Sequence, residues 1–138
     1  MRKSDGTMDE IVFAEGLVGC QDWKRFVFLD CEDPGPVGLL QCLDDPEVGF
    51  LVADPYEILD GYRLEVSNSE KEAIGLAEWD DAMVLCTLIV RQDPMEVTAN
   101  LLGPLVINRA NGRGVQVVLS GSEYSTRQLI AAAPGEEP

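Results

Sequence analysis

Apolar residues in this chain come in short runs, several alternating with polar positions, and glycine, proline and aspartate punctuate them. That rhythm belongs to strands, whose side chains point alternately to the two faces of a sheet. "EIVF" (10–13) reads as a short strand, and "EGLVG" (15–19) turns the chain on Gly16 and Gly19. In "KRFVFLDC" (24–31), Phe26, Phe28 and Asp30 fall on one side and Val27, Leu29 and Cys31 on the other. A strand that is apolar on both faces for most of its length belongs in the middle of a sheet. "DPGPVG" (33–38) reads as a turn, because Pro34 and Pro36 have no amide to give a ladder and Gly35 permits positive φ. "LLQCL" (39–43) and "VGFLVA" (48–53) follow as two strands joined by "DDPE" (44–47).

A helix is predicted over "SNSEKEAIGLAEW" (67–79), where Ser67 with Glu70, or Ser69 with Glu72, has the spacing of a capping box. Gly75 in its middle costs about 1 kcal/mol against alanine, so this helix depends on packing. "AMVLCTLIVRQ" (82–92) is expected to be a strand buried on both faces. "VTANLL" and "PLVIN" are strands on either side of Gly103-Pro104. Asn111-Gly112 suits a two-residue hairpin turn that sets Val106 opposite Val117 and Asn108 opposite Val115; a longer loop closed at Gly114 is the open alternative.

Many short strands, one short helix and frequent turn signals predict an all-β, mainly antiparallel fold, a compact barrel or sandwich in a single domain. The expected organisation is a polar N-terminal segment (1–9), a β-barrel-like domain (10–128) and a mobile C-terminal tail (129–138).

With 138 residues, 46% of them apolar, the chain is long enough to bury a core without staples. The longest apolar run, Ala82 to Val90, is less than half a membrane-spanning helix, and no apolar segment follows the basic residues at the N-terminus. The cytoplasm is the expected location. Cysteines 20, 31, 42 and 86 form no C-x-x-C pair and read as free, buried small hydrophobes. Histidine is absent, which removes the usual general base, the imidazole metal ligand and every triad built on it. No metal and no cofactor are expected.

Charge changes the picture more. The net is −15, and residues 4–100 hold 22 acidic against 5 basic side chains, whereas residues 101–138 hold three of each. Such a surface repels nucleic acid and anionic lipid and attracts a basic partner; solubility alone is the plainer explanation. The adjacent acids Asp44-Asp45, Asp80-Asp81 and Glu32-Asp33 resemble catalytic pairs only in composition, since acids in turns are mostly solvated. "GRGVQVVLSG" lacks the lysine and the helix of a phosphate loop. "ADPYEILDGY" (53–62) is different: Tyr56, Ile58, Leu59 and Tyr62 sit among acids in a connection, which fits either a protein-docking patch or a lid folded over the barrel end.

Several ordered stretches resemble the flagellar assembly factor family FliW: "FAEGLVG" (13–19), "LLQCLDDPEVGFLVADPY" (39–56), "TANLLGPLVIN" (98–108) and "QVVL" with "YSTR" (116–119, 124–127). The most specific pieces are Leu40-Gln41 followed by Pro46 and Phe50, the Asp54-Pro55 pair, and Ala99-Asn100-Leu101 leading to Pro104 and Asn108. The resemblance implies a non-enzymatic β-barrel of the bacterial cytoplasm, a monomer when free, that binds CsrA, an RNA-binding translational repressor, and also flagellin. In that scheme the free protein holds CsrA away from flagellin mRNA from a surface distinct from the RNA site, and unsecreted flagellin displaces it. Val18 and Cys20 stand where the family prefers proline and phenylalanine, and Gly103 where it prefers alanine. Gln128 stands where histidine often follows the arginine. A shortened opening strand is expected to leave a sheet edge unpaired.

The partner-binding candidates are Gln41, Asp54, Pro55, Tyr56, Asn100, Asn108 and Arg127. Two other classes remain beside this reading. One is a ligand-binding barrel whose cavity is lined by Trp23, Trp79 and the tyrosines. The other is a carboxylate enzyme, which needs a buried acid.

Overall fold

The computed structural model describes residues 8–18, 21–30, 37–91 and 95–132. Nine strands are formed: β1 (Met8–Phe13), β2 (Arg25–Asp30), β3 (Val37–Cys42), β4 (Gly49–Ala53), β5 (Ala82–Arg91), β6 (Glu96–Ala99), β7 (Leu105–Asn108), β8 (Arg113–Gln116) and β9 (Gln128–Ala132). Two short helices, α1 (Pro55–Ile58) and α2 (Asn68–Ala73), and a 3-10 turn at Trp79–Asp81 lie between β4 and β5. The strands run in hydrogen-bonded order β4-β3-β2-β1-β8-β7-β5, and β4 also pairs with β5, so seven of them close into a barrel. Among the described residues only β1 and β8 pair in parallel, Val12 beside Arg113 and Phe13 beside Gly114. With β2 on its other side, β1 is bonded along both edges, so no sheet edge is open there.

Alternation fills the barrel. Ile11, Phe13, Phe26, Leu40, Leu105 and Ile107 are fully buried in one cluster, with Phe13 and Phe26 edge to face at 5.8 Å. Each such side chain contributes about 1.5–3 kcal/mol of burial. Trp23 packs on Phe50 at this cluster, whereas Trp79 stands in a groove on the outer surface, so the two tryptophans do not share a cavity. As expected, β2 lies inside the sheet, between β1 and β3.

Several sequence expectations change. The strand from Ala82 is not buried on both faces: Leu85 and Cys86 are buried, but Ile89 is 53% exposed and Val90 is exposed. Its first half pairs with β7 inside the barrel, while Leu88–Arg91 pairs with β6, which pairs in turn with β9 in a separate three-stranded sheet. The strand buried on both faces is β7. Its Leu105 and Ile107 enter the barrel, and its Val106 packs outward with Ile74, Leu76 and Val117.

The β7–β8 hairpin has a four-residue connection, not two. Asn108 lies opposite Arg113 and Val106 opposite Val115, two places from the register that an Asn-Gly turn sets. The Asn108 side chain accepts from the Ala110 amide, its carbonyl accepts from the Gly112 amide, and Gly112 takes φ 77°. The side chain and backbone of Asn108 thus start the turn two residues earlier than Asn111-Gly112 alone suggests.

The second helix stops at Ala73, not Trp79. Its start is as expected, with Ser67 and Glu70 forming both bonds of a capping box. Its end is a Schellman motif: the Gly75 amide donates to Glu72, the Leu76 amide donates to Lys71, and Gly75 has φ 66°. The glycine therefore ends this helix. Helix α1, unforeseen, arises because Asp54 caps it and Pro55 fixes its first turn. At the C-terminus β9 carries the sheet through Ala132, beyond residue 128, and at the N-terminus β1 begins at Met8. The turn read at 33–36, Cys20, Cys31, residues 1–7 and the rest of the tail (133–138) lie outside the described residues.

Candidate protein-docking site

Residues 54–62 leave β4 and return across the end of the barrel. Asp54 Oδ1 accepts from the Tyr56 amide at 2.9 Å, and Pro55 is buried behind it. The Leu59 amide donates to Pro55 at 3.1 Å and the Tyr62 amide to Leu59 at 3.1 Å, so the segment is a compact hydrogen-bonded unit. Tyr62 points inward, joins Cys86, Ala99 and Leu101 in a buried cluster, and donates its hydroxyl to the Leu101 carbonyl at 2.7 Å. Ile58 and Leu59 pack against the same cluster.

Three tyrosines stack in series. Tyr56 meets Tyr62 edge to face at 5.5 Å, and Tyr124 tilts against Tyr62 at 4.7 Å while its hydroxyl accepts from the Arg63 amide at 2.7 Å. Burial raises the Tyr62 phenol well above its ordinary pKa, with the nearby Cys86 thiol adding to the effect. Tyr56 is raised too, first by partial burial and then by the Asp54 charge. Both rings therefore remain neutral at physiological pH. The segment is lid and patch together: Tyr62, Ile58 and Leu59 close the cluster, whereas Tyr56 stays 43% exposed. Asp54, Glu57 and Asp60 share the segment with it, and the next basic residue is Arg63.

The other candidates fall elsewhere. Gln41 donates to the carbonyls of Pro46 and Val48 at 3.1 and 3.0 Å, holding the loop between β3 and β4. Asn100 accepts from the amides of Leu102 and Gly103 at 3.1 and 2.9 Å, bending the chain before Pro104. Asn108 is 2% exposed and donates its side-chain amide to the Ile74 and Gly75 carbonyls, which keeps it off any docking surface. Arg127 is exposed, and its amide donates to Ser125 Oγ at 2.8 Å. Of the seven, Asp54, Pro55 and Tyr56 are brought together; Gln41, Asn100 and Asn108 serve the backbone, as polar residues at strand ends commonly do.

Among the described residues no carboxylate is buried. Asp44, in one of the adjacent acid pairs, accepts from the Lys24 and Arg25 amides at 2.9 and 3.1 Å and from Arg25 Nε at 3.1 Å, which holds its carboxyl below the usual range. Burial, followed by the Asp54 charge, pushes the Cys86 thiol up to about 12, far from a reactive thiolate. Cys42 is buried as well, and both are free. No helix among the described residues is long and apolar enough to cross a membrane.

Sequence reasoning missed Tyr124 and Trp79 as parts of this surface. Tyr124 opens the "YSTR" stretch, but nothing local tells that it stacks on Tyr62, which is distant in sequence. The helix expected over 67–79 includes Trp79, whereas the structure leaves that ring 46% exposed beside the segment that follows Tyr62.

Comparison with known proteins completes the geometry. The family model described as "FliW protein" matches residues 3–130. A flagellar assembly factor FliW of Clostridium beijerinckii is 34% identical over 127 residues, covering 90% of this chain and 90% of that protein. One from Natranaerobius thermophilus is 36% identical over 121 residues, covering 87% and 80%. A crystal structure of the flagellar assembly factor FliW superposes with a TM-score of 0.79 at 28% identity, over 95% of this chain and 89% of that one. With the closed barrel and the ordered motifs already in place, these matches show that the chain belongs to the FliW family.

Proposed function

We propose that this chain is a flagellar assembly factor that acts by occupying other proteins in the cytoplasm and not by transforming a substrate. Its partners on this reading are CsrA, which it holds away from flagellin mRNA, and flagellin, which displaces it. One observation carries the docking site: Tyr56 is held out to solvent by its stack on buried Tyr62, in a segment whose charges up to Arg63 are all negative. A pre-positioned aromatic ring in an acidic rim fits a partner that presents arginine or lysine around an apolar contact.

The charge supplies the mechanism of antagonism. A partner of net charge −15 docked beside a basic RNA groove adds negative field where phosphate must approach, over a screening length of about 8 Å at physiological salt. The groove need not be covered. The test is RNA competition: flagellin leader RNA is displaced from CsrA by this chain, and added flagellin restores RNA binding. Unchanged RNA binding at saturating concentrations of this chain would contradict the proposal.

A further inference from the structure

Beyond Tyr124 the surface continues into a groove with an unusual backbone. Residues 63–66 and 117–120 lie outside any helix or strand, yet their side chains alternate in burial as those of strands do. Leu64, Val66, Val117 and Leu119 pack inward together, while Glu65 and Val118 face out, Val118 being 49% exposed. Yet neither segment belongs to the sheet. The Val117 and Leu119 amides donate to Pro104 and Leu102 on one side, and the amide of Val118 between them has no backbone partner among the described residues. The same is true of the Leu64, Glu65 and Val66 amides. Two adjoining grooves, about 900 and 750 Å³, meet over Leu64, Glu65 and Val118, and Trp79 forms part of the wall.

We propose that this groove binds an extended, cationic segment of a partner protein, which adds a strand against these open peptide groups and lays its apolar side chains on Val118 and Trp79. Unpaired backbone with this strand-like alternation beside apolar contacts is what strand addition requires. Charge selects the occupant: residues 60–81 carry seven acidic and two basic side chains, so lysine or arginine at alternate positions of the segment is favoured and acidic segments are repelled. The site adjoins the Tyr56 surface beyond Tyr124 and differs from the CsrA reading in its mode of contact, so it does not rest on that reading.

The probe is a capped nine-residue peptide of alternating valine and lysine, titrated into the intact protein while tryptophan emission is followed. Three controls are a valine–glutamate peptide, a valine–lysine peptide N-methylated at alternate amides, and Trp79→Phe protein. The expected result is a blue shift with the lysine peptide that weakens with salt, is at least tenfold weaker for the N-methylated peptide, and is absent with the glutamate peptide and in Trp79→Phe. Val118→Ser, at an exposed position and with no added charge, loses the apolar contact and is expected to bind the lysine peptide at least fivefold more weakly; unchanged affinity counts against the proposal. Equal binding of the glutamate or N-methylated peptide, a shift that survives Trp79→Phe, or no shift with the lysine peptide overturns the proposal.

Discussion

Asn108, on barrel strand β7, donates its side-chain amide to the carbonyl of Ile74, 34 residues earlier, at 2.9 Å. The same amide donates to Gly75 at 3.0 Å, and Asn111 donates to Ile74 at 3.0 Å. These bonds satisfy carbonyls at the end of α2 and lock that segment over the outer face of β7. Asn108→Ala leaves the Gly75 carbonyl and the Ala110 amide without this partner and the Ile74 carbonyl with Asn111 alone, and is expected to cost roughly 2–4 kcal/mol in urea unfolding. Asn108→Asp is expected to cost at least as much, because a carboxylate faces two carbonyl oxygens. Measured stabilities within 0.5 kcal/mol of the parent, on the order of a surface change, contradict this role.

Gly112 holds the hairpin against β1. It takes φ 77°, its carbonyl accepts from the Val12 amide at 2.8 Å, and a Cβ there runs into the Glu10 carbonyl oxygen. Gly112→Ala is therefore expected to cost roughly 2–4 kcal/mol, from the left-handed backbone and the collision together. Gly61→Ala meets nothing within 4 Å at φ 77° and is expected to show the conformational part alone, about 1 kcal/mol. Chemical denaturation of the two variants separates these contributions.

Stability is expected to fall above about pH 9. Cys86 ionises near 9 when unfolded but only near 12 when folded, so its folded-state pKa is raised; the stability is fully present below the unfolded value and is lost as pH rises toward 12. Tyr62, also raised, adds a loss that begins near pH 10. Cys86→Ala flattens the first part of this decline and Tyr62→Phe the second, read as urea midpoints from pH 7 to 11. At the acid end the sign reverses. Asp44 has a lowered folded pKa, so its contribution is present above pH 4 and lost as pH falls below that, and Asp44→Asn is less stable than the parent at pH 7 but not at pH 2.

Neutralising the acids near Tyr56 separates field from contact. Glu57→Gln with Asp60→Asn is expected to weaken antagonism of RNA binding more than it weakens CsrA affinity, measured by RNA competition and calorimetry. Equal losses in both remove the field mechanism and leave simple docking.

The barrel was legible because burial imposes a period of two wherever one face is filled, and Phe26, Leu40, Leu105 and Ile107 obey it. What escaped was non-local. The exposure of Ile89 and Val90 depends on β5 passing from the barrel into a second sheet, which no window of residues can reveal. The hairpin register turned on a competition between Asn-Gly and the Asx bond of Asn108, and both fit the local sequence. At the site, Asp54-Pro55-Tyr56 was readable as an exposed acidic connection with a large ring, but not as the capped helical turn it forms. The motif amides of Gln41, Asn100 and Asn108 look the same in sequence whether they face a partner or a backbone carbonyl. Only the Tyr62 and Tyr124 contacts, with the hydroxyl that receives the Arg63 amide lying 61 positions further along the chain, show how Tyr56 is supported.

Calorimetry of purified CsrA against this protein and its Tyr56→Ala variant tests the central claim most directly. Saturable binding by the parent, falling at least tenfold in Tyr56→Ala with its melting temperature little changed, is the predicted result. No heat of binding from a folded parent, or equal affinity in the variant, contradicts it.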